Sequence, residues 1–298
     1  MLKNWLEAFR LRTLPLALSC IGMGSFLAAF YGSFNLSVCI LSLTTTLFLQ
    51  ILSNLANDYG DSVHGADSAE REGPQRSVQR GSITSKAMFK SIIVFAVLSF
   101  ISGIFLLHFS VGIGSTTFYV FLGLGLAAIA AAIAYTNGKR PYGYSGLGDI
   151  SVFLFFGLLG VCGTYYLHAE SFEVLILLPA ASCGFFATGV LNVNNIRDIK
   201  SDKAAGKNSI PVRIGKKNAL IYHSTLIILG CLSSLIFLII HEEFYAIISV
   251  VISFFLFGKH LIKVQKAKNS SDLDPQLKFL ALSTLSFVLL FGISIHWL

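Results

Sequence analysis

The chain has 298 residues, of which only 22 are Lys or Arg and 15 are Asp or Glu, a charged fraction of 12% that is about half of what soluble domains carry. The runs Thr13–Asn57 and Ser91–Gly138 contain no charged side chain at all, which excludes a soluble core and points to an all-α, polytopic membrane protein. The net charge of +7 follows the loops, as set out below, so it reads as a topology signal with attraction to membrane lipid and not as nucleic-acid binding.

A membrane-spanning helix takes about 20 apolar residues. Thr13–Asn57 is interrupted at Tyr31-Gly32-Ser33-Phe34-Asn35 and Ser91–Gly138 at Ser110-Val111-Gly112-Ile113-Gly114, so each predicts two spans. Five more follow at Ile150–Ala169, Val174–Asn195, Asn218–His241, Phe244–Gly258 and Phe279–Leu298. The short Phe244–Gly258 stretch reaches Ile262 if Lys259 snorkels. The prediction is nine spans in one integral-membrane domain over 1–298. Two parallel four-helix halves, about 13–136 and 149–262, would be followed by a ninth helix at about 279–298.

In that scheme every Lys and Arg falls on one side of the membrane, in five groups: the N-terminal residues, Arg71 to Lys90, Lys139-Arg140, Arg197 to Lys217 and Lys259 to Lys278. The opposite loops hold Glu170, Glu173, Glu242 and Glu243. The positive-inside rule then makes the N-terminus cytoplasmic and the C-terminus external, and the first span is read as retained, not as a cleaved signal peptide. The five cysteines lie inside apolar segments without a CxxC pair and read as packing residues.

Polar residues concentrate at two helix ends. Asn54–Asp67 closes the second span and Asn194–Asp202 the sixth. Asn57 with Asp61, and Asn194 with Asp198 and Asp202, recur every four residues, which stacks their oxygens on one helical face. The first set has a second register, Asn54 with Asp58 and Asp61. These are hard oxygen donors suited to Mg²⁺, and a helix C-terminus favours a cation. A single acidic cluster is more often a solvated cap, but two alike, at the ends of spans four apart, point to a shared site. Arg71, Arg76 and Arg80 follow the first cluster, and Arg197, Lys200, Lys203, Lys207 and Arg213 surround the second. Carboxylates gathered with guanidinium and ammonium groups suit a Mg²⁺-held diphosphate, although positive-inside bias alone accounts for many of these cations.

Asn54–Asp67 and NNIRDIKSDKAAGKNSIPVRIG (Asn194–Gly215), with YTNGKRPYGYSGLGD (Tyr135–Asp149) and Arg10-Leu11-Arg12-Thr13-Leu14-Pro15, resemble the UbiA superfamily of intramembrane aromatic prenyltransferases. Within it they most resemble the branch that prenylates 1,4-dihydroxy-2-naphthoate in menaquinone biosynthesis. The likeness runs from about Arg10 to Gly215, and the remainder matches in hydropathy. It implies a nine-helix bundle around a central cavity, with Mg²⁺ and a polyprenyl diphosphate held at Asn57, Asp58, Asp61 and Asp67 and at Asn194, Asp198 and Asp202. The superfamily usually has an acid four positions after Asp61, where this chain has Gly65; the longer spacing to Asp67 is shared by the naphthoate branch.

The reaction so implied pulls diphosphate from an allylic carbon and gives the resulting cation to the acceptor ring, with loss of CO₂, yielding demethylmenaquinone; 4-hydroxybenzoate and homogentisate are the alternative acceptors. Asp61, Asp198, Arg140 and Tyr135 are the expected catalytic residues. Arg10, Arg12, Arg76, Arg80, Lys139, Arg140, Arg197, Lys200, Lys207 and Arg213 are the expected substrate contacts, with loop anchoring at headgroups as the competing role for Lys139, Arg140, Arg10 and Arg12. Tyr135, Tyr165 and Tyr166 are candidate aromatic faces for the cation. No dedicated base stands out, and His64 is the one histidine inside a motif. No obligate protein partner is evident. A secondary transporter is the reading from another class, disfavoured because the acids lie at helix ends and not at the midplane. Gly146-Leu147-Gly148-Asp149 matches a GxGD protease string, but without an equally placed second Asp.

Overall fold

The computed structural model describes residues 2–64 and 75–297, so Asp67 and Arg71 lie outside the described residues. Among the described residues there are no strands, and nine helices are long and apolar enough to cross a membrane. A short helix α1 (Leu2–Ala8) precedes α2 (Leu14–Phe30), α3 (Leu36–Val63), α4 (Ser85–Val111) and α5 (Thr116–Ala134). Next come α6 (Gly148–Ala169), α7 (Leu177–Arg197) and the one-turn-and-a-half α8 (Ile199–Ala204). The chain ends with α9 (Ile210–Ile240), α10 (Phe244–Lys266) and α11 (Asp274–Trp297). The breaks expected from the sequence carry caps. Asn35 accepts from the Ser37 and Val38 amides at the start of α3, and Ser115 from the Phe118 amide at the start of α5, satisfying donors that the first helical turn leaves over.

Several helices run further towards the basic end than apolarity indicates. α4 starts at Ser85, α9 at Ile210 with a kink at Gly215 (φ 77°), and α10 reaches Lys266. α11 begins at Asp274, five residues before the expected Phe279. Charged first and last turns hide these extensions from a hydropathy reading, because a helix that leaves the hydrocarbon has no need to stay apolar.

Packing is uneven across the bundle. α2, α6, α7, α9, α10 and α11 share one apolar core that includes Met23, Leu27, Val161, Phe186, Phe237, Phe257 and Phe287. In lipid, such association rests on close van der Waals fit. It is tight where α6 meets α2 and α7: a Cβ on Gly24 would come within 2.6 Å of the Val161 carbonyl, and one on Gly157 within 2.8 Å of the Ala180 carbonyl. α3, α4 and α5 pack on each other around Leu52, Leu55, Met88 and Ile92, and separately around Val38, Leu106 and Phe118. Between these two sets lies a cavity of about 370 Å³. The middle of α6, Phe153–Gly163, is wound as a π-helix and forms one wall of it, a deviation often found at functional sites.

Candidate active site

The two Asp-bearing helix ends meet at the basic end of the bundle. α3 is held there by close approach: a Cβ on Gly60 would lie 2.6 Å from both the carbonyl and the hydroxyl oxygen of Thr136. The Thr136 hydroxyl donates to Asn57 Oδ1 at 3.2 Å. One turn on, Asp61 is buried and has two partners. Arg76 reaches Oδ2 at 2.5 Å, and the Tyr144 hydroxyl donates to Oδ1 at 2.8 Å. Arg76 also donates to the Asn57 carbonyl at 2.6 Å.

The two registers of the first cluster separate in the structure. Asn54 donates to the Phe9 carbonyl at 2.9 Å and to the Thr13 hydroxyl at 3.1 Å, tying α3 to the N-terminal segment. Asp58 accepts from the Ser77 and Val78 amides at 3.3 and 3.5 Å, so it shapes the segment that carries Arg76. Asn57 and Asp61 are the pair beside the cations.

At the second cluster the helical hydrogen bonds run on from Asn194 to Asp198 and from Asp198 to Asp202, which keeps the four-residue spacing on one line. Arg197 is only 2% exposed. It grips Asp198 with two nitrogens at 2.7 and 2.8 Å, Asn194 at 2.9 Å and Asp274 of α11 at 2.7 Å. After α8, Gly206 adopts a left-handed conformation (φ 71°) that turns the chain back, and the Lys207 amide bonds the Asp202 carbonyl at 2.8 Å. This helix-ending turn is one that glycine makes without strain. It sets Lys207 Nζ 3.4 Å from Asp202 Oδ1 and 5.8 Å above the Tyr144 ring. Tyr144 and Lys207 thus join Asp61 to Asp202 across the two clusters.

Burial works against the Lys207 charge, but Asp202 and Asp61 outweigh it and hold the ammonium above its ordinary value. Burial raises Asp202, with Lys207 offsetting part of the effect. Tyr135 lines the cavity beside this cluster, and burial pushes its hydroxyl up to about 12. It therefore presents a neutral ring.

Other expected contacts are placed elsewhere. Arg12 pairs with Asp274 at 3.1 Å, Arg80 with Glu7 at 2.5 Å, and Arg213 donates to the Ser145 carbonyl at 2.6 Å, bracing the 142–146 turn. Arg10 differs from these: its backbone is left-handed (φ 50°) directly before the Leu11–Thr13 turn, and its charge acts on Asp61. Lys139, Arg140 and Lys200 are exposed. Tyr165 and Tyr166 lie at the other end of α6, against Tyr31 and Phe121, so the expectation that they face the reacting carbon is corrected: α6 starts at the site and leads away from it. Both ring nitrogens of His64 face carbonyl oxygens, of Gly60 and Gly138, at 2.9 Å. Asp149 is buried, accepts from Tyr222 at 3.2 Å and does not line the cavity. Sequence reasoning missed Tyr144, although it lay inside a quoted motif, and Asp274, for which no motif gave a signal.

The cavity opens below this cluster. Gln50, Ser53, Asn54, Asn57, Tyr135 and Tyr142 line its polar mouth, and Ile104, Leu107, Phe121, Phe155, Phe156 and Leu159 its body. A groove of about 440 Å³ between α5 and α6 shares Phe121, Leu124, Phe155 and Leu159 with it and runs on to Tyr166 and Phe172.

A model of the UbiA prenyltransferase family matches residues 17–293. The chain belongs to this family. It is 44% identical over 296 residues to a Haemophilus influenzae 1,4-dihydroxy-2-naphthoate octaprenyltransferase, covering 99% of this chain and 96% of the relative. Against the Escherichia coli protein of the same name it is 49% identical over 234 residues, 77% of this chain and 75% of that one. A UbiA homolog from Archaeoglobus fulgidus, solved with GPP and Mg²⁺, superposes with a TM-score of 0.65 at 18% identity, covering 99% of this chain and 100% of that one; at that identity it speaks for the fold. The resemblance read from the Asp motifs therefore extends through α9, α10 and α11.

The donor set fits Mg²⁺. Among the described residues no three acidic, His or Cys side chains converge into a metal cage, but Mg²⁺ characteristically takes one or two carboxylates and completes its shell with water and phosphate oxygens. Asn57 with Asp61, and Asn194 with Asp198 and Asp202, supply such oxygens from two directions.

Proposed function

We propose that this chain transfers a polyprenyl group from polyprenyl diphosphate to 1,4-dihydroxy-2-naphthoate, releasing diphosphate and CO₂ and giving demethylmenaquinone in its quinol form. The observation that carries the reading is the joining of two helix-end carboxylate sets, through Tyr144 and Lys207, at the mouth of an apolar cavity. The name shared by the relatives at 44% and 49% identity supports the acceptor.

Mg²⁺ held by the two sets would neutralise charge building on the departing diphosphate oxygens. Arg76 and Lys207, with Arg10 beyond them, supply cations at the same place, and such groups act most strongly where charge develops. The allylic C–O bond breaks with its pair going to diphosphate, and the allylic carbon bonds the ring carbon that bears the carboxylate. That carboxylate then leaves as CO₂, returning the C–C pair to the ring. No ring proton has to be removed, in keeping with a site whose nearest histidine has both nitrogens engaged. The neutral Tyr135 ring at the mouth offers the cation a face contributing about 0.5–2 kcal/mol. Arg140 and Lys139, exposed on the adjoining loop, are the proposed partners of the acceptor carboxylate.

A cavity of about 370 Å³ holds a ligand of drug size, enough for the ring and the first prenyl units. The rest of the tail would run out through the α5–α6 groove. The distribution of basic residues supports an N-terminus, and a site, on the cytoplasmic side of a bacterial inner membrane. The test is Mg²⁺-dependent transfer of a labelled prenyl group by membranes carrying wild type, Asp61→Ala or Asp198→Ala, offered dihydroxynaphthoate, 4-hydroxybenzoate and homogentisate. Dihydroxynaphthoate should be the acceptor used, and both variants should lose most activity. Exclusive prenylation of 4-hydroxybenzoate refutes the acceptor; full activity in both variants refutes the site.

A further inference from the structure

Each described motif carboxylate on the cavity side has a basic partner: Asp61 has Arg76, Asp198 has Arg197 and Asp202 has Lys207. Asp274 is a second partner of Arg197, and Arg10 also acts on Asp61, so none of these carboxylates stands without a counter-charge. Mg²⁺ arriving alone would add two charges to a buried site whose carboxylates are already paired, and would have to displace a cation from the oxygen it needs. A diphosphate arriving alone would meet cations already committed to carboxylates. Arriving together, the two ligands offer every displaced group a new partner of opposite charge.

The three cations are not equally free to change partners. Arg197 is part of α7, is buried, and is gripped by Asn194 and Asp274 as well as Asp198. Arg76 and Lys207 sit on connecting segments, before α4 and between α8 and α9. Arg76 meets, among its partners, the Asp61 carboxylate and the Asn57 carbonyl, and Lys207 meets a carboxylate at 3.4 Å, the longest of the three ion pairs. Rotation about their long side chains moves their charges without moving a helix.

We propose that Arg76 and Lys207 are exchangeable counter-ions, held by Asp61 and Asp202 in the unliganded protein and passed to diphosphate oxygens on loading, so that metal and diphosphate bind only as a pair. Such coupling excludes futile loading by cellular Mg²⁺ and makes diphosphate recognition a condition of metal binding. It rests on the prenyl-diphosphate reading above, and it adds an order of assembly to it. It also predicts an unusual sign. A cation that only positions a metal ligand weakens metal binding when removed, whereas a cation that competes with the metal strengthens it.

The full chain in detergent, with Mn²⁺ as the probe metal followed by its EPR signal and inorganic diphosphate as the probe anion, tests this. Wild type should bind Mn²⁺ alone weakly and at least about tenfold more tightly with diphosphate, within the usual range for coupled sites. Lys207→Met and Arg76→Gln should each raise affinity for Mn²⁺ alone by about fivefold or more and lose most of the diphosphate enhancement. Because Lys207 is buried, Arg76→Gln decides the matter if Lys207→Met does not fold. Unchanged or weaker binding of Mn²⁺ alone in Arg76→Gln overturns the exchange, as does equal Mn²⁺ affinity of wild type with and without diphosphate. Prenyl transfer measured on the same wild-type preparation separates the two failures: transfer with no exchange leaves the enzyme reading standing, and no Mg²⁺-dependent transfer removes both.

Discussion

Replacing Asp274 should weaken metal-dependent activity from a position that no motif covers. Asp274 opens α11 and faces two guanidinium groups: Arg12, at 3.1 Å, with a side chain 36% exposed, and Arg197, at 2.7 Å, with a side chain 1% exposed. The Arg12 contact is a surface pair, worth less than about 1 kcal/mol. The Arg197 contact is a charge-assisted hydrogen bond to a buried group, for which about 1.5–3 kcal/mol is typical. Asp274→Ala should therefore cost about 2–3 kcal/mol of stability. Asp274→Asn, which keeps an acceptor, should cost less, and Arg12→Ala least of all.

The effect on function follows from what Arg197 does next. It sets both oxygens of Asp198, and groups that hold a metal ligand in place cost about 10–100-fold in metal affinity or activity when lost. The Mg²⁺ concentration for half-maximal transfer should then rise about tenfold in Asp274→Ala, equivalent to about 1.4 kcal/mol, while the KM for dihydroxynaphthoate changes little. The assay is prenyl transfer against Mg²⁺ concentration, alongside thermal unfolding in detergent. A Mg²⁺ dependence within twofold of wild type, in a variant destabilised as expected, refutes the link from α11 through Arg197 to Asp198. Equal effects of Arg12→Ala and Asp274→Ala refute the assignment of the cost to the buried partner.

Gly60→Ala should destabilise by about 1–3 kcal/mol, the usual range for overpacking, and abolish transfer, because its Cβ would meet Thr136 at 2.6 Å; Gly123→Ala in α5, where nothing lies within 4 Å, should be neutral or slightly stabilising. Thermal unfolding of the two variants side by side checks this. Arg140→Ala should raise the KM for dihydroxynaphthoate more than it lowers kcat and leave the KM for prenyl diphosphate unchanged; the reverse pattern in steady-state kinetics assigns Arg140 to the diphosphate. Leu124→Trp, narrowing the α5–α6 groove, should lower kcat/KM for a long prenyl diphosphate well below that for geranyl diphosphate, and equal losses with both substrates would place the tail elsewhere.

Much of this protein was legible in one dimension. Charge-free runs, their turn-like breaks and the sorting of Lys and Arg gave nine spans, because lipid forces each crossing segment to satisfy its own backbone and exclude charge. The i, i+4 oxygens at two helix ends pointed to the proposed site for an equally local reason: helical spacing alone puts them on one face. Helix ends were less legible where they emerge from the membrane, as at Asp274 and Ile210, since there the apolar requirement lapses.

Which carboxylate serves which purpose was a tertiary matter. Asn54, Asp58 and Asp61 share a helical face as plausibly as Asn57 and Asp61 do, and only the packing of Phe9, Thr13 and the Ser77–Val78 segment withdraws Asn54 and Asp58 from the cation cluster. The partners of Arg12, Arg80 and Arg213 were equally hidden, because a basic residue at a membrane surface has the same sequence signature whether it anchors a loop or holds a phosphate. The sequence by itself determined the membrane and the number of crossings, and it offered the candidate oxygen donors, all from local period and composition. Only the tertiary structure decided that Tyr144 and Lys207 join the two clusters and that α11 reaches back through Asp274, because contacts between distant segments leave no periodic trace in the chain.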